Sequence, residues 1–321
     1  MTGSKFLVLS TINLLDATRN PPMTPTVEAA TAVPQWFTTA IETIPTTGEV
    51  GVRDARIRYR SWGTAGKRNV VLVHGGAAHS RWWDHIAPLL ATENRVVALD
   101  LSGHGESDHR ATYDVPTWVA EVVAVAEANG FEPGYTVVGH SLGGLVTLEV
   151  AKLASSPVHE AIVIDSPVGV FGSKVPVEAR GLSEVKRKFY PSAAETIARF
   201  RPVPPQESLT FVSDYIAAAS VVETPEGWSW KFDSTILAGD HLTAAQFTTM
   251  DARLAYFRAE YGVVSSSVRA IVERAGASFV ELPQAGHAPM LDQPLALVTG
   301  IRTAFAAWDA EKARAAVAAC E

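Results

Sequence analysis

Short apolar runs alternate with longer helical segments along most of this chain, and this alternation restricts its fold more than any other feature. The runs NVVLV (69–73) and RVVAL (95–99) are apolar throughout, as expected of strands covered on both faces. RIRYRSW (56–62) alternates instead between polar and apolar residues, which indicates an early antiparallel strand. Further strands are predicted over residues 135–138, 161–164, 253–257 and 278–282, and helices over 82–91, 116–129, 143–154, 265–275 and 291–315. The pattern is typical of an α/β protein in which helices cross over between parallel strands.

Two stretches depart from this alternation. Residues 1–33 contain Pro21, Pro22 and Pro25 and have no sustained periodicity, so we predict a poorly ordered or loosely docked extension. Residues 169–241 are rich in proline and aromatic residues and are too long for an ordinary loop. We therefore predict a core made of residues 34–168 and 242–321, with a helical cap inserted at 169–241.

Composition and charge exclude several classes of protein. The 27 basic and 34 acidic residues give a net charge of −7, whereas nucleic-acid binding requires clustered Lys and Arg. The single cysteine, Cys320, cannot form an intrachain disulfide, which fits a reducing cytoplasm. No apolar stretch reaches the roughly 18 residues of a membrane span. We expect a cytoplasmic protein without nucleic-acid or membrane partners; the sequence is compatible with a homodimer.

The segment 139–144 (GHSLGG) carries the clearest chemical pattern. It follows the predicted strand YTVV and opens a predicted helix, which is the arrangement of a nucleophile elbow, G-x-S-x-G. A serine at so tight a turn needs small residues two positions before and after it, and Gly139 and Gly143 meet that need. The turn also places Ser141 at a helix N-terminus, where free N–H groups favour a developing negative charge.

With this elbow the chain resembles the α/β-hydrolase superfamily from about Val50 onward. In order, the other matching segments are 74–76 (HGG), 100–108 (DLSGHGESD), 228–233 and 286–289 (GHAP). The resemblance implies a mostly parallel, eight-stranded sheet flanked by helices, with an inserted helical cap. It also implies that His287, after the last strand, is the general base toward Ser141, and that the backbone N–H groups of Gly76 and Leu142 form the oxyanion hole. No histidine pair has metal-ligand spacing, so neither a metal nor a cofactor is expected.

The acid of the triad departs from the family's usual placement. The family usually carries it in a G-x-x-D loop after the penultimate strand, but here Gly262 stands at that position. Asp165 ends the predicted strand AIVI, and haloalkane dehalogenases and zearalenone-type lactonases carry their acid after the same strand. We therefore predict Asp165 as the acid, with Glu260 as the alternative.

These residues favour a serine hydrolase that cleaves a carboxylic ester or lactone through an acyl-enzyme. The aromatic residues of the cap indicate a fairly large hydrophobic substrate, such as a zearalenone-type macrolactone. The candidate substrate-binding residues are Trp83, Phe189, Phe211 and Trp228. Two alternatives keep the same fold: a cofactor-free dioxygenase or C–C bond hydrolase, and a binding protein without catalysis. The presence of both Ser141 and His287 argues against the pure binder.

Overall fold

The computed structural model describes residues 32–64, 66, 68–153, 155–169, 187–237, 245–246 and 250–319. The extension predicted at 1–33 therefore lies almost wholly outside the described residues, as do parts of the predicted cap. The described strands are β1 Thr46–Val52, β2 Ala55–Trp62, β3 Asn69–Val73, β4 Arg95–Leu99, β5 Tyr135–His140, β6 Val158–Ile164, β7 Val168–Gly169, β8 Val221–Thr224, β9 Gly227–Trp230, β10 Ala245–Gln246, β11 Arg253–Tyr261 and β12 Ser278–Gly286. The described helices are α1 Gln35–Glu42, α2 Ala87–Leu90, α3 Val115–Ala128, α4 Leu142–Ala151, α5 Ala193–Ile197, α6 Thr210–Ala219, α7 Val268–Arg274, α8 Pro289–Asp292 and α9 Pro294–Ala318.

An eight-stranded sheet forms the centre of the molecule, in the order β1-β2-β4-β3-β5-β6-β11-β12. β1 and β2 pair antiparallel, as do β2 and β4, and the strands from β4 to β12 pair parallel to one another. The predicted α/β-hydrolase architecture is therefore confirmed. Strand β1 was missed by the sequence analysis, because its residues TTGEVGV are mostly polar or glycine and only Val52 is buried.

The central strands are buried on both faces, which explains their unbroken apolar sequences. Val71 and Val73 of β3 belong to a hydrophobic cluster with helices α3 and α4. Val70 and Leu72 point to the other face, into a cluster that contains residues of α1, α2 and α9. Because successive side chains of a strand alternate between faces, one five-residue strand contributes to both halves of the core. Among the helices of the described ranges, none combines the length and apolar character needed to cross a bilayer.

Prolines account for two differences from the predicted helices. The helix predicted at 82–91 is a 3₁₀ turn, Ser80–Trp83, followed by the short α2, in which Pro88 lies in the first turn. The helix predicted at 291–315 is α8 followed by α9, which begins at Pro294. Proline lacks an N–H and clashes with the preceding turn, so it starts a helix rather than continuing one.

The segment between β6 and β11 contains the helices α5 and α6 and also an antiparallel hairpin, β8–β9. The hairpin was not expected in a helical cap. Its strands VVET and GWSW are joined by Pro225 and Glu226 and alternate in the way that paired strands do. Below, "the insertion" means the described residues 187–237.

Candidate active site

Ser141 occupies the tight turn between β5 and α4 that the sequence predicts. Its backbone has φ 51° and ψ −116°, and a positive φ is costly for a residue with a side chain. The Ser141 N–H donates a hydrogen bond of 2.9 Å to the Ile164 carbonyl of the neighbouring strand β6, which fixes the turn. Strained residues of this kind persist only where the surrounding structure holds them, and they concentrate at functional sites.

Three glycines allow backbone segments to meet around Ser141. A Cβ added to Gly139 would lie 2.5 Å from the Gly143 carbonyl carbon, and one added to Gly143 would lie 2.7 Å from the Val73 carbonyl carbon. Real side chains do not approach so closely, so both positions of the G-x-S-x-G pattern require glycine. Gly75 of the HGG segment lies against the elbow as well, a contact that the sequence analysis did not predict: its added Cβ would be 3.3 Å from the Ser141 Cβ.

His287 lies between Ser141 and Asp165 and contacts both. Its Nδ1 is 2.8 Å from Asp165 Oδ2, and its Nε2 is 3.1 Å from Ser141 Oγ. A carboxylate can only accept a hydrogen bond, so Nδ1 carries the proton and Nε2 is free to accept the Ser141 hydroxyl proton. These three residues, called the triad below, follow the C-terminal ends of β5, β6 and β12, the edge of a parallel sheet where ligands bind.

The carboxylate of Asp165 is fully buried and held by the backbone of β11 and of the turn that follows it. Oδ2 accepts the Val263 N–H at 2.9 Å, and Oδ1 accepts the Ala259 N–H at 3.2 Å. A Cβ added to Gly262 would lie 2.5 Å from both Cγ and Oδ1 of Asp165. The glycine that replaces the family's usual acid therefore provides the space in which Asp165 lies.

Glu260, the alternative acid, has a different partner. Its Oε2 accepts the backbone N–H of Gln284 at 2.8 Å, and its own carbonyl accepts a hydrogen bond from Arg258. The carboxylate that contacts His287 is that of Asp165. Between the two acids considered from the sequence, the geometry favours Asp165.

Comparison with known proteins identifies the family. The model of the alpha/beta hydrolase family matches residues 70–300, which is more than half of the chain and contains the whole triad. The chain belongs to the α/β-hydrolase family.

Several relatives of this α/β hydrolase carry hydrolase names. It is 34% identical over 113 residues to a serine hydrolase-like protein of Danio rerio, covering 34% of each chain. It is 26% identical over 256 residues to an esterase of Mycobacterium tuberculosis, covering 75% of this chain and 83% of that one. The first-named match thus spans about a third of the relative's length. Among solved structures, the thioesterase domain from the curacin biosynthetic pathway has a TM-score of 0.66 at 22% identity, covering 80% of this chain and 99% of that domain, which shows the shared fold.

A buried histidine contacts the backbone of the triad residue His287 in this α/β hydrolase. His140 is 4% exposed, and burial holds its pKa well below the ordinary value, so the ring is neutral. Its Nε2 lies 2.7 Å from the His287 carbonyl oxygen and must donate to it, because a carbonyl only accepts. His140, which lies between Gly139 and Ser141 in the elbow, thus fixes the backbone of His287.

Of the two predicted oxyanion-hole residues, Leu142 directly follows Ser141, and Gly76 lies in the turn after β3. Leu142 is the first residue of α4, so its N–H is at the helix N-terminus, next to the serine in the chain. Gly76 follows Gly75, which contacts the elbow, and the next residue, Ala77, has φ 60°. Ala77, in the turn after β3, thus has a positive φ, as Ser141 has in the elbow.

Of the four predicted substrate-binding aromatics, two pack in or against the hydrophobic core and the other two lie in or near β9. Trp83 is fully buried in the core cluster that also contains Phe37, and Phe211 packs on Phe37 with ring centroids 4.9 Å apart. Phe189 is 41% exposed, and the neighbouring residue Tyr190 pairs with Trp228 of β9 through backbone hydrogen bonds.

A different aromatic row, which the sequence analysis missed, joins core and insertion. The half-buried Phe200 lies between Trp82 and Trp230, with centroid distances of 6.2 Å to each. Aromatic content alone could not reveal this row, because its three members come from segments far apart in the sequence.

Proposed function

We propose that this α/β hydrolase cleaves carboxylic esters through an acyl-enzyme on Ser141. The observation that carries the proposal is the continuous hydrogen-bonded line from Asp165 through His287 to Ser141, with distances of 2.8 and 3.1 Å. The 3.1 Å separation of His287 Nε2 from Ser141 Oγ lies within the range in which a base takes a proton from a nucleophile, and the 2.8 Å contact with Asp165 orients that base. The relatives named serine hydrolase-like protein and esterase support the same reaction class.

In the proposed acylation, each residue of the triad has one role. Ser141 Oγ attacks the ester carbonyl carbon while its proton moves to His287 Nε2, and the carbonyl π electrons go to the oxygen. Asp165 stabilises the imidazolium that results. The tetrahedral oxyanion is stabilised by the N–H groups of Leu142 and Gly76, each such donor being worth about 3 kcal/mol.

The intermediate then collapses. The bond from the carbonyl carbon to the leaving oxygen breaks, and His287 Nε2–H gives its proton to that oxygen, so the alcohol departs and the acyl-enzyme remains. Water repeats the sequence: His287 takes a water proton, the hydroxide oxygen attacks the acyl carbon, and Ser141 leaves with the proton restored. The products are a carboxylic acid and an alcohol, or one hydroxy acid when the ester is a lactone.

The proposed substrate is apolar and of substantial size. The aromatic residues of the insertion support this choice, since ligand pockets are lined mainly by apolar and aromatic side chains. The row of Trp82, Phe200 and Trp230, which runs from core to insertion, provides such a surface. Within this class we propose a macrocyclic lactone of the zearalenone type as the specific candidate.

The test combines a substrate panel with active-site labelling. p-Nitrophenyl esters of increasing chain length and several macrocyclic lactones, zearalenone among them, are incubated with the purified protein. Ser141→Ala is expected to lower kcat by several orders of magnitude and to abolish labelling by a fluorophosphonate, with folding intact. Ser266→Ala, at an exposed serine, is the matched control and should label like the wild type.

Two results would contradict the proposal. Labelling that persists in Ser141→Ala would remove Ser141 as the nucleophile. A wild-type protein that cleaves no ester or lactone, but consumes oxygen with a quinolone, would favour the dioxygenase alternative instead.

A further inference from the structure

A side chain of the insertion contacts the turn that carries His287. Gln206 lies between α5 and α6, and its Oε1 accepts the Ala288 N–H at 2.8 Å. Its Nε2 donates to the Ala288 carbonyl at 3.1 Å and to Asp292 Oδ2 at 2.9 Å. One amide side chain therefore binds both polar groups of the residue that follows His287.

Asp292 binds the backbone on the other side of His287. The same oxygen that accepts from Gln206, Asp292 Oδ2, also accepts the N–H of Gly286 at 2.6 Å. The residue before His287 is thus held by Asp292 and the residue after it by Gln206. Since His140 binds the His287 carbonyl, three consecutive residues of the turn have their backbone groups bound by side chains.

The packing at this place is so close that a side chain at position 286 would displace Gln206 or Asp292. A Cβ added to Gly286 would lie 2.8 Å from Cδ and Nε2 of Gln206 and 2.9 Å from Asp292 Oδ2. The amide of Gln206 and the carboxylate of Asp292 therefore lie directly against the backbone of the turn. A small displacement of either must move the turn or break its hydrogen bonds.

Burial makes these hydrogen bonds important. Desolvation raises the pKa of Asp292 to about 6, which the hydrogen bonds from Gly286 and Gln206 oppose. Its second oxygen, Oδ1, is buried without a hydrogen-bond partner among the described residues. Loss of the Gln206 donor would therefore leave this partly buried carboxylate with fewer partners, at a cost typical of an unsatisfied polar group.

We propose that Gln206 is a positioning residue for His287, through which the insertion controls the alignment of the triad. This inference rests on the proposed ester hydrolysis for its rate measurements. When the segment around Gln206 occupies its position against Ala288 and Asp292, the backbone of the turn is held in place. The imidazole of His287 then lies between Ser141 and Asp165. When that segment shifts, the orientation of the imidazole changes although every triad residue is present. Gln206 itself takes part in no bond-making step.

The experiment compares Gln206→Ala with Gln293→Ala, using p-nitrophenyl acetate. Gln293 is the matched control because it lies in the same region, and its side-chain amide lies 3.5 Å from the Gln284 carbonyl oxygen. Gln206→Ala should lower kcat on the order of 10–100-fold, because a displacement of about 1 Å at a reacting group costs rates of this size. KM should change less than about twofold, since a misplaced base impairs the chemical step more than ground-state binding. Gln293→Ala should retain the wild-type kcat.

A second variant distinguishes misalignment of the triad from loss of the folded state. Gln206→Glu keeps the size of the side chain and the acceptor for the Ala288 N–H, but it removes the donor and places a carboxylate against Asp292. It should lose kcat at least as strongly as Gln206→Ala at mildly alkaline pH, whereas it should retain cooperative thermal unfolding. If Gln206→Glu has the wild-type kcat, the proposal is wrong.

A spectroscopic readout separates this proposal from the proposed function. The His287 Nδ1 proton, hydrogen-bonded to Asp165, should give a downfield NMR resonance whether or not the protein hydrolyses any ester. We expect Gln206→Ala to shift or broaden that resonance and Gln293→Ala to leave it unchanged. An unchanged resonance in Gln206→Ala overturns the positioning role, whereas a wild-type protein inert toward all esters overturns the proposed function alone.

Discussion

Replacing Gly262 with alanine tests the relation between the glycine and the buried acid. The added methyl group would lie 2.5 Å from Cγ and Oδ1 of Asp165 and would overlap its other oxygen. Gly262 is not among the glycines with a positive φ, so its backbone conformation accommodates alanine and the strain comes from the carboxylate. Because Asp165 is tied to the backbone of Ala259 and Val263, it cannot yield without losing those bonds or the one to His287.

The size of the effect has two parts. Overpacking a tight interior costs about 1–3 kcal/mol of stability, so the melting temperature should fall by several degrees. Complete loss of the acid's function lowers kcat on the order of 10⁴-fold in the serine-protease example, or about 5 kcal/mol of transition-state stabilisation. Since a displaced carboxylate retains part of its effect, we expect Gly262→Ala to lower kcat by roughly 10²- to 10⁴-fold.

The assay is a double-mutant cycle of kcat on a small acetate ester. Asp165 has φ 42°, a conformation that glycine adopts readily, so Asp165→Gly removes the carboxylate without backbone strain. In that background the methyl group of Gly262→Ala has free space, and it should change kcat by less than about twofold. If Gly262→Ala lowers kcat by the same factor in both backgrounds, the carboxylate is not the cause and the reasoning is refuted.

Three further predictions concern the acid, the elbow and the response to pH. Glu260→Gln should cost about tenfold or less in kcat, because an amide oxygen still accepts the Gln284 N–H; a loss as large as that of Asp165→Asn would contradict the assignment of the acid. Gly139→Ala should prevent accumulation of folded protein, since its methyl group meets backbone atoms, whereas Gly51→Ala, with nothing within 4 Å, should express normally; equal expression would refute the steric argument. Unfolding free energy from urea titrations should rise with pH between about 4 and 6.5, and a flat or falling curve would contradict this. Burial lowers the pKa of five histidines: His74, His79, His85 (to about 4), His104 and His140. The unfolded chain therefore binds protons there that the folded one does not. This outweighs the opposite contributions of three buried carboxyl groups whose pKa burial raises, those of Asp84, Glu121 and Asp292 (to about 6).

Local patterns in the sequence were sufficient for seven of the eight strands of the central sheet, all but β1, and for the elbow. Strands such as β3 and β4 are recognisable because burial on both faces demands an unbroken apolar run. The turn at Ser141 is recognisable because its steric requirement falls on residues only two positions away, Gly139 and Gly143. The choice of Asp165 combined local information, an aspartate at a strand end, with the family resemblance, which placed an acid where this chain has Gly262 and supplied relatives that carry their acid after the same strand.

The contacts that hold the triad were decided by the tertiary structure. Gln206 and Ala288 are 82 residues apart, and nothing near Gln206 in the sequence marks it as a partner of the His287 turn. Gly262 could be read as a missing acid, but its packing against Asp165 depends on the pairing of β6 with β11. Steric and periodic rules act over a few neighbouring residues and are therefore legible in the sequence. The fit of a side chain against a distant backbone depends on how the sheet, the helices and the insertion pack together, and it is fixed only when they do.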